Sequence, residues 1–279
     1  MPAMNSTLGR RPRRATTAVA GAAVALIALA GCGSGASDTK DAEESGKARS
    51  SKPAAAGASN SGGGSRGAEA AALVHKAIDA TFDQEYLSST RRTKTEGTTT
   101  QRIALSGDKA ACEAHSRKGP ASLDFIVTES ALYSRGSKEA LELSPEAKED
   151  PVRVEVMADR WVKRGAATYE VMGEMCKSTT RRTWLEKRIP SLEHLAEENP
   201  SQQSVKVQQR SAIKLTYERA GGPLEFYIAA EGSPLLLRVT CPATDLDESF
   251  SDFGEPFRVV APSGAVSELQ MAREVLAAQ

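Results

Sequence analysis

Four cysteines and three histidines are the residues of this chain best suited to nucleophilic or metal chemistry. Cys112 and His115 lie near enough in sequence to raise the idea of a thiol nucleophile with an imidazole base. Their odd offset sends the two side chains to opposite faces if the stretch is a strand, which removes the pair. His75, His115 and His194 show no metal-ligand spacing. His75 and His194 fall on predicted helices, where a solvated imidazole is ordinary. No phosphate-cradling glycine loop, Gly-x-Ser-x-Gly elbow or zinc helix occurs. The carboxylates are scattered over polar faces with no pair set apart as acid and base. The expectation is a protein that is not an enzyme and needs no metal or cofactor.

Cys32 is in a different setting. It closes an apolar stretch, Ala15 to Ala30, preceded by Arg10, Arg11, Arg13 and Arg14, with no acidic residue among the first 31 positions. Sixteen weakly apolar residues are short for a membrane span, which needs about 20. A basic head, a short apolar centre and small residues at the end describe a secretion signal. Leu29-Ala30-Gly31-Cys32 resembles the lipobox of bacterial lipoproteins, in which the signal is cut before a cysteine carrying diacylglycerol. The resemblance implies a signal peptide over 1–31, lipidation at Cys32 and a protein anchored at the extracytoplasmic face of the cell membrane.

The elements that follow must present whatever this anchor holds. From Gly33 to Gly67 there is no Val, Ile, Leu, Met, Phe, Trp or Tyr, so residues 32–67 are expected to be a disordered tether. Its root-mean-square reach is about 30–35 Å. Residues 68–279 suit one domain. The full chain has 36 basic and 36 acidic residues. Losing residues 1–31 removes four arginines and no acid, leaving a mature chain at −4. Such a chain has no electrostatic reason to bind nucleic acid.

Val74, Ile78, Phe82 and Tyr86 recur every four residues and predict an opening helix, broken by "SSTRRTKTEGTTT" (88–100). Period-two alternation then marks strands: Ile103 and Leu105; Leu123, Phe125 and Val127; Ile213, Leu215 and Tyr217; Leu224, Phe226 and Ile228; Leu235, Leu237 and Val239. Short Gly/Pro connections join the last three as an antiparallel meander with one apolar face. Between the β groups, Trp184, Leu185, Ile189, Leu192 and Leu195 have helical spacing, with a short helix starting at Pro190-Ser191. One-faced sheet and amphipathic helices together make an α+β architecture.

"DFIVTESALYSRG" (124–136), "DRWVK" (159–163), "IKLTYERAGGPLEFYIAAEGSPLLLRV" (213–239) and "FSDFGEPFRVVAPSGAV" (250–266) resemble the LolA-like lipoproteins of the LppX and LprG type. That resemblance implies a curved antiparallel half-barrel closed by helices, with an apolar cavity for lipid acyl chains. The lining it implies is Leu123, Phe125, Val127, Ile213, Leu215, Tyr217, Leu224, Phe226, Ile228, Leu235, Leu237 and Val239, closed by the Val74–Tyr86 helix and the Trp184–Leu195 segment. The expected ligand is a lipid or acyl chain, with an envelope protein as a further partner. Two functions follow: a carrier or chaperone for that ligand, or an interaction and sensor module of similar fold that regulates a membrane protein. For the remaining cysteines, an oxidising compartment favours one disulfide. Cys241 ends the inward Leu235–Val239 face and Cys176 lies in an irregular stretch free to approach it, so Cys176–Cys241 is the pairing expected, ahead of Cys112–Cys241.

Overall fold

The computed structural model describes residues 63–106, 109–144, 147 and 149–279. Cys32, the signal and the tether up to residue 62 lie outside them.

The domain opens with helix α1 (Gly63–Phe82), which buries Ala71, Val74, Ala77, Ile78 and Phe82 along one stripe. It starts inside the stretch read as tether. Gly67 is the reason: it packs so close to α6 (Leu192–Ala196) and the residues after it that a Cβ there would lie 2.3 Å from the Glu198 carbonyl oxygen. At the other end the helix stops before Tyr86, which begins strand β1 (Tyr86–Thr93) instead of ending the helix. The segment 88–100 is no irregular breaker. It supplies most of β1 and, with the β-branched Thr98, Thr99 and Thr100, the start of β2 (Gly97–Ser106), paired from Thr93↔Gly97 to Tyr86↔Ala104.

Strands β3 (Lys109–Lys118), β4 (Ala121–Val127) and β5 (Leu132–Gly136) extend this as an antiparallel meander. A second meander runs through β7 (Ser201–Val207), β8 (Arg210–Tyr217), β9 (Leu224–Ala229), β10 (Leu236–Cys241) and β11 (Leu246–Ser251). The two join where β1 pairs with β11. With β6 (Val162–Lys163) and β12 (Val266–Ser267) they make one unclosed 12-stranded sheet in the order β12-β6-β5-β4-β3-β2-β1-β11-β10-β9-β8-β7. Every pairing is antiparallel except β12 with β6.

Helices α1, α5 (Ser178–Glu186) and α6 cover the inner face of the second meander. The short helix expected from Pro190-Ser191 is there but begins at Leu192: Pro190 stays outside it and Ser191 caps it by accepting from the His194 amide. Helix α4 (Ala166–Gly173) and a 3-10 turn (Glu174–Cys176) lie over the first meander, while α2 (Lys138–Glu142), α3 (Pro151–Met157) and α7 (Glu268–Ala278) form a layer at its far end. The fold is α+β: one large open antiparallel sheet with helices packed upon it.

Candidate functional site

The inner face carries two apolar clusters with a polar band between them. The larger gathers Leu215, Tyr217, Leu224, Phe226, Ile228, Leu236 and Val239 of the second meander under Val74, Ile78, Leu185 and Leu195. Ile213 packs at its edge, partly buried. The smaller holds Ile103, Cys112, Val127, Leu132 and Cys176, with Phe125, Tyr169 and Met172 beside them. Leu123 is half-buried next to Gly136.

Two of the twelve expected lining residues leave this face. A register shift between Leu236 and Arg238 inserts one residue into β10. Leu235 and Leu237 therefore pack with Ala212 and Ala229 on the opposite side, while Leu236 takes the inner position across from Ile228. The other ten are split between the two clusters and the β4 edge, where helices fill the space above them.

The disulfide also differs from the expected pairing. Cys112 on β3 is bonded to Cys176 at the end of the 3-10 turn, and Cys241 is a free, buried thiol. The register explains this. Cys112 shares the inner face with Ile103 and Val127, directly beneath the segment that carries Cys176, whereas Cys241 sits across β11 in the larger cluster. The opposite-face placement of Cys112 and His115 does hold. His115 lies on the outer face, where its Nδ1 is 3.0 Å from Asp124 Oδ1. Arg135 donates to the other Asp124 oxygen through Nε at 3.0 Å and Nη2 at 2.6 Å and stacks on Trp161. Burial pushes the Asp124 carboxyl up, but the Arg135 hydrogen bonds and then His115 outweigh it, so its pKa is lowered.

The polar band was not legible as a site. Arg181 of α5 donates to Glu248 of β11 and, at 3.1 Å, to Ser89 of β1, all three being buried. Gln101 of β2 donates to the Met175 carbonyl at 3.2 Å, tying the 3-10 turn to the sheet. At the rim, three guanidinium groups surround Trp184: Arg188 at 3.8 Å from the ring centre, Arg91 at 4.5 Å and Arg181 at 5.8 Å. Burial and then the nearby Arg181 lower the Arg91 pKa, against the pull of Glu248 and Glu96. Burial lowers that of Arg188 too. Arg181, Trp184 and Arg188 lie three and four residues apart, a helical stripe visible in sequence, but Arg91 comes from a strand far upstream.

Among the described residues, no three His, Cys, Asp or Glu side chains are grouped to hold a metal ion, and no helix is long and apolar enough to cross a membrane. Two open depressions mark the surface. One lies on the outer face among Thr90, Arg92, Lys206, Tyr227 and Arg238, and the other beside Trp184.

No protein-family model matches the sequence, and neither does any curated protein. Solved structures overlap with the chain. LprF from Mycobacterium bovis does so at a TM-score of 0.44 and 14% identity, over 70% of this chain and 98% of that one. An uncharacterized conserved protein from Thermus thermophilus overlaps at 0.31 and 11% identity, over 71% and 98%. The MucA/MucB complex of Pseudomonas aeruginosa gives 0.31 and 15% identity, over 73% of this chain and 60% of that chain. These overlaps carry no argument about ligand, partner or chemistry, which rest on the residues of this chain.

Proposed function

We propose that the domain binds the acyl chains of a lipid between α4 and the inner face of β2–β5, and that it does so as the outer part of a lipoprotein held in the cell membrane through Cys32. The observation that carries this reading is the character of α4. Its sequence, Ala-Ala-Thr-Tyr-Glu-Val-Met-Gly, is apolar on most sides, yet none of its residues is buried, and Val171 is 58% exposed. A helix apolar all round is ordinarily buried on all sides. Here only Tyr169 and Met172 reach the cluster of Ile103, Val127 and Leu132 below.

Such a helix is a lid with apolar surface to spare. Its N-cap Gly165 is held by Glu268, whose Oε2 accepts from the Gly165 amide at 2.9 Å, and the Cys112–Cys176 bond keeps its far end on the sheet, so α4 is a flap anchored at both ends. Acyl chains entering beneath it gain about 25 cal/mol per Å² of apolar surface removed from water, before ordering costs. A carrier or chaperone role follows from a lid that opens and closes over its cargo.

Native mass spectrometry of the full chain extracted from membranes tests this. Bound lipid is expected on the unmodified protein, and Val127→Trp, which takes the place an acyl chain would occupy once α4 lifts, is expected to lose it while staying folded. An empty protein, together with a Val127→Trp variant destabilised by overpacking, overturns the reading. That outcome favours regulation of a membrane protein, for which strand β7, mostly exposed at the end of the sheet, supplies an edge able to accept another strand.

A further inference from the structure

The three arginines around Trp184 carry more positive charge than their surroundings neutralise. Arg181 is committed to Glu248 and Ser89. Arg188 donates to the backbone carbonyl of Trp184, at 3.3 Å, and makes no direct ion pair; Glu96 and Glu248 act on it only through space. Arg91, with a side chain 17% exposed, has Glu96 at 3.4 Å, but Glu96 sits on the β1–β2 turn and is half in water. Two guanidinium groups are thus held within 4.5 Å of one indole, facing a single exchangeable carboxylate. Like charges brought together in a partly desolvated place cost free energy, and an incoming anion relieves that cost.

A second observation lies next to the first. An open depression lies beside Trp184, lined by Thr179, Thr180, Thr183 and Lys187 and more apolar than polar, and it leaves one flank of the indole open to solvent. The planar guanidinium forks of Arg91 and Arg188 are the donors that suit the several oxygens of a phosphate. The position suits a head group too. Arg91 follows Leu87 and Ser89 along the inner face of β1, beyond the apolar clusters and towards the turn at Thr93–Gly97.

We propose that Arg91 and Arg188, stacked on Trp184 and backed by Arg181, form a phosphate site at the rim, with Glu96 as the group that phosphate displaces. Resting on the acyl-chain reading above, this makes the cargo a lipid with a phosphate in its head group. The same donors would accept free phosphate, and the two sources are separable.

The chain has two tryptophans, so Trp161→Phe leaves Trp184 as the sole indole reporter. In that background, inorganic phosphate at constant ionic strength is expected to change Trp184 fluorescence saturably. Arg188→Gln and Arg91→Gln each weaken the response about tenfold, the loss of one charged hydrogen bond. Glu96→Gln strengthens it several-fold, an effect that a purely structural role for Glu96 does not produce. Dihexanoyl phosphatidylglycerol binding more tightly than phosphate identifies a lipid as the source, and equal affinities identify free phosphate. Dihexanoylglycerol is the control without phosphate. If it binds while phosphate leaves Trp184 unchanged, the acyl-chain reading stands and the phosphate site is overturned. If phosphate binds and neither lipid adds to it, the site stands and the acyl-chain reading falls. A phosphate response unaltered in Arg188→Gln and Arg91→Gln also overturns the site.

Discussion

Arg181 of α5 and Glu248 of β11 form an ion pair with both side chains buried, so a helix lying between two apolar clusters is fixed to the sheet by charge. Removing one partner of such a pair leaves an uncompensated charge in the interior, a loss of about 3–5 kcal/mol. Arg181→Met alone is expected to lower the urea midpoint accordingly. Arg181→Met combined with Glu248→Met should recover much of that loss. Equal destabilisation by the single and double variants would show that the pair is not what Arg181 contributes.

The Cys112–Cys176 bond closes a loop with a sequence separation of 64. The chain-entropy account gives a stabilisation of about 4 kcal/mol for a loop of that order. Non-reducing peptide mapping should recover these two cysteines linked. Cys241 should be alkylated only after unfolding, because it is buried in the larger cluster. Cys112→Ser and Cys176→Ser should each cost most of the disulfide's contribution, and recovery of a linked peptide containing Cys241 would contradict the structure.

Asp124 sets a pH dependence. Its carboxyl titrates below the ordinary 3.8 in the folded state because Arg135 and His115 hold the charged form against burial. A lowered folded value means the contribution is fully present above the unfolded pKa and is lost as pH falls through the folded one. Acid titration of stability should therefore steepen below about pH 4. Asp124→Asn should flatten that part of the curve, and an unchanged curve would remove Asp124 from the account.

Leu215 and Val127 answer differently to enlargement. Leu215 is 1% exposed between Tyr217, Phe226 and the helices above. Leu215→Trp is therefore expected to cost about 1–3 kcal/mol by overpacking, while Val127→Trp presses on a lid. Thermal denaturation of the two variants compares them directly. A Leu215→Trp variant as stable as the parent would assign room for a ligand to the larger cluster instead.

Replacing Cys32 with Ser should release the protein from the membrane fraction or leave its signal uncut. Two acyl chains, at about 0.8 kcal/mol per buried methylene, give the stable residence that one chain does not. A Cys32→Ser variant still processed and still sedimenting with membranes would end the lipid-anchor reading.

The legible parts of the fold were those fixed by local periodicity. The stripe Val74–Ile78–Phe82, the short helix after Pro190-Ser191 and the three strands from Ile213 to Val239 follow from spacing and turn residues alone. What escaped depends on relations between strands. Leu235, Leu237 and Val239 alternate perfectly in sequence, yet the extra residue in β10 divides them between faces, and no composition signal marks it. Cysteine pairing went the same way, because it turns on which strand lies beneath Cys176. The arginine group at Trp184 has Arg181 and Trp184 on α5 and Arg188 in the turn after it at helical spacing, but that stripe lacks the residue that β1 brings to it.

The pairing of β1 with β11 has a consequence for how the chain is made. Strand β11 is the last long strand to be synthesised, yet it fills the middle of the sheet, with β10 on one side and β1 on the other. Until Leu246–Ser251 emerge, both meanders have a bare edge facing the gap between them, and bare edges recruit other chains. A truncation before Leu246 thus does more than shorten the protein: it leaves two half-sheets with no seam. A break in the connection between β5 and β7 leaves the seam strands on separate fragments, each carrying one edge of a joint that the other completes.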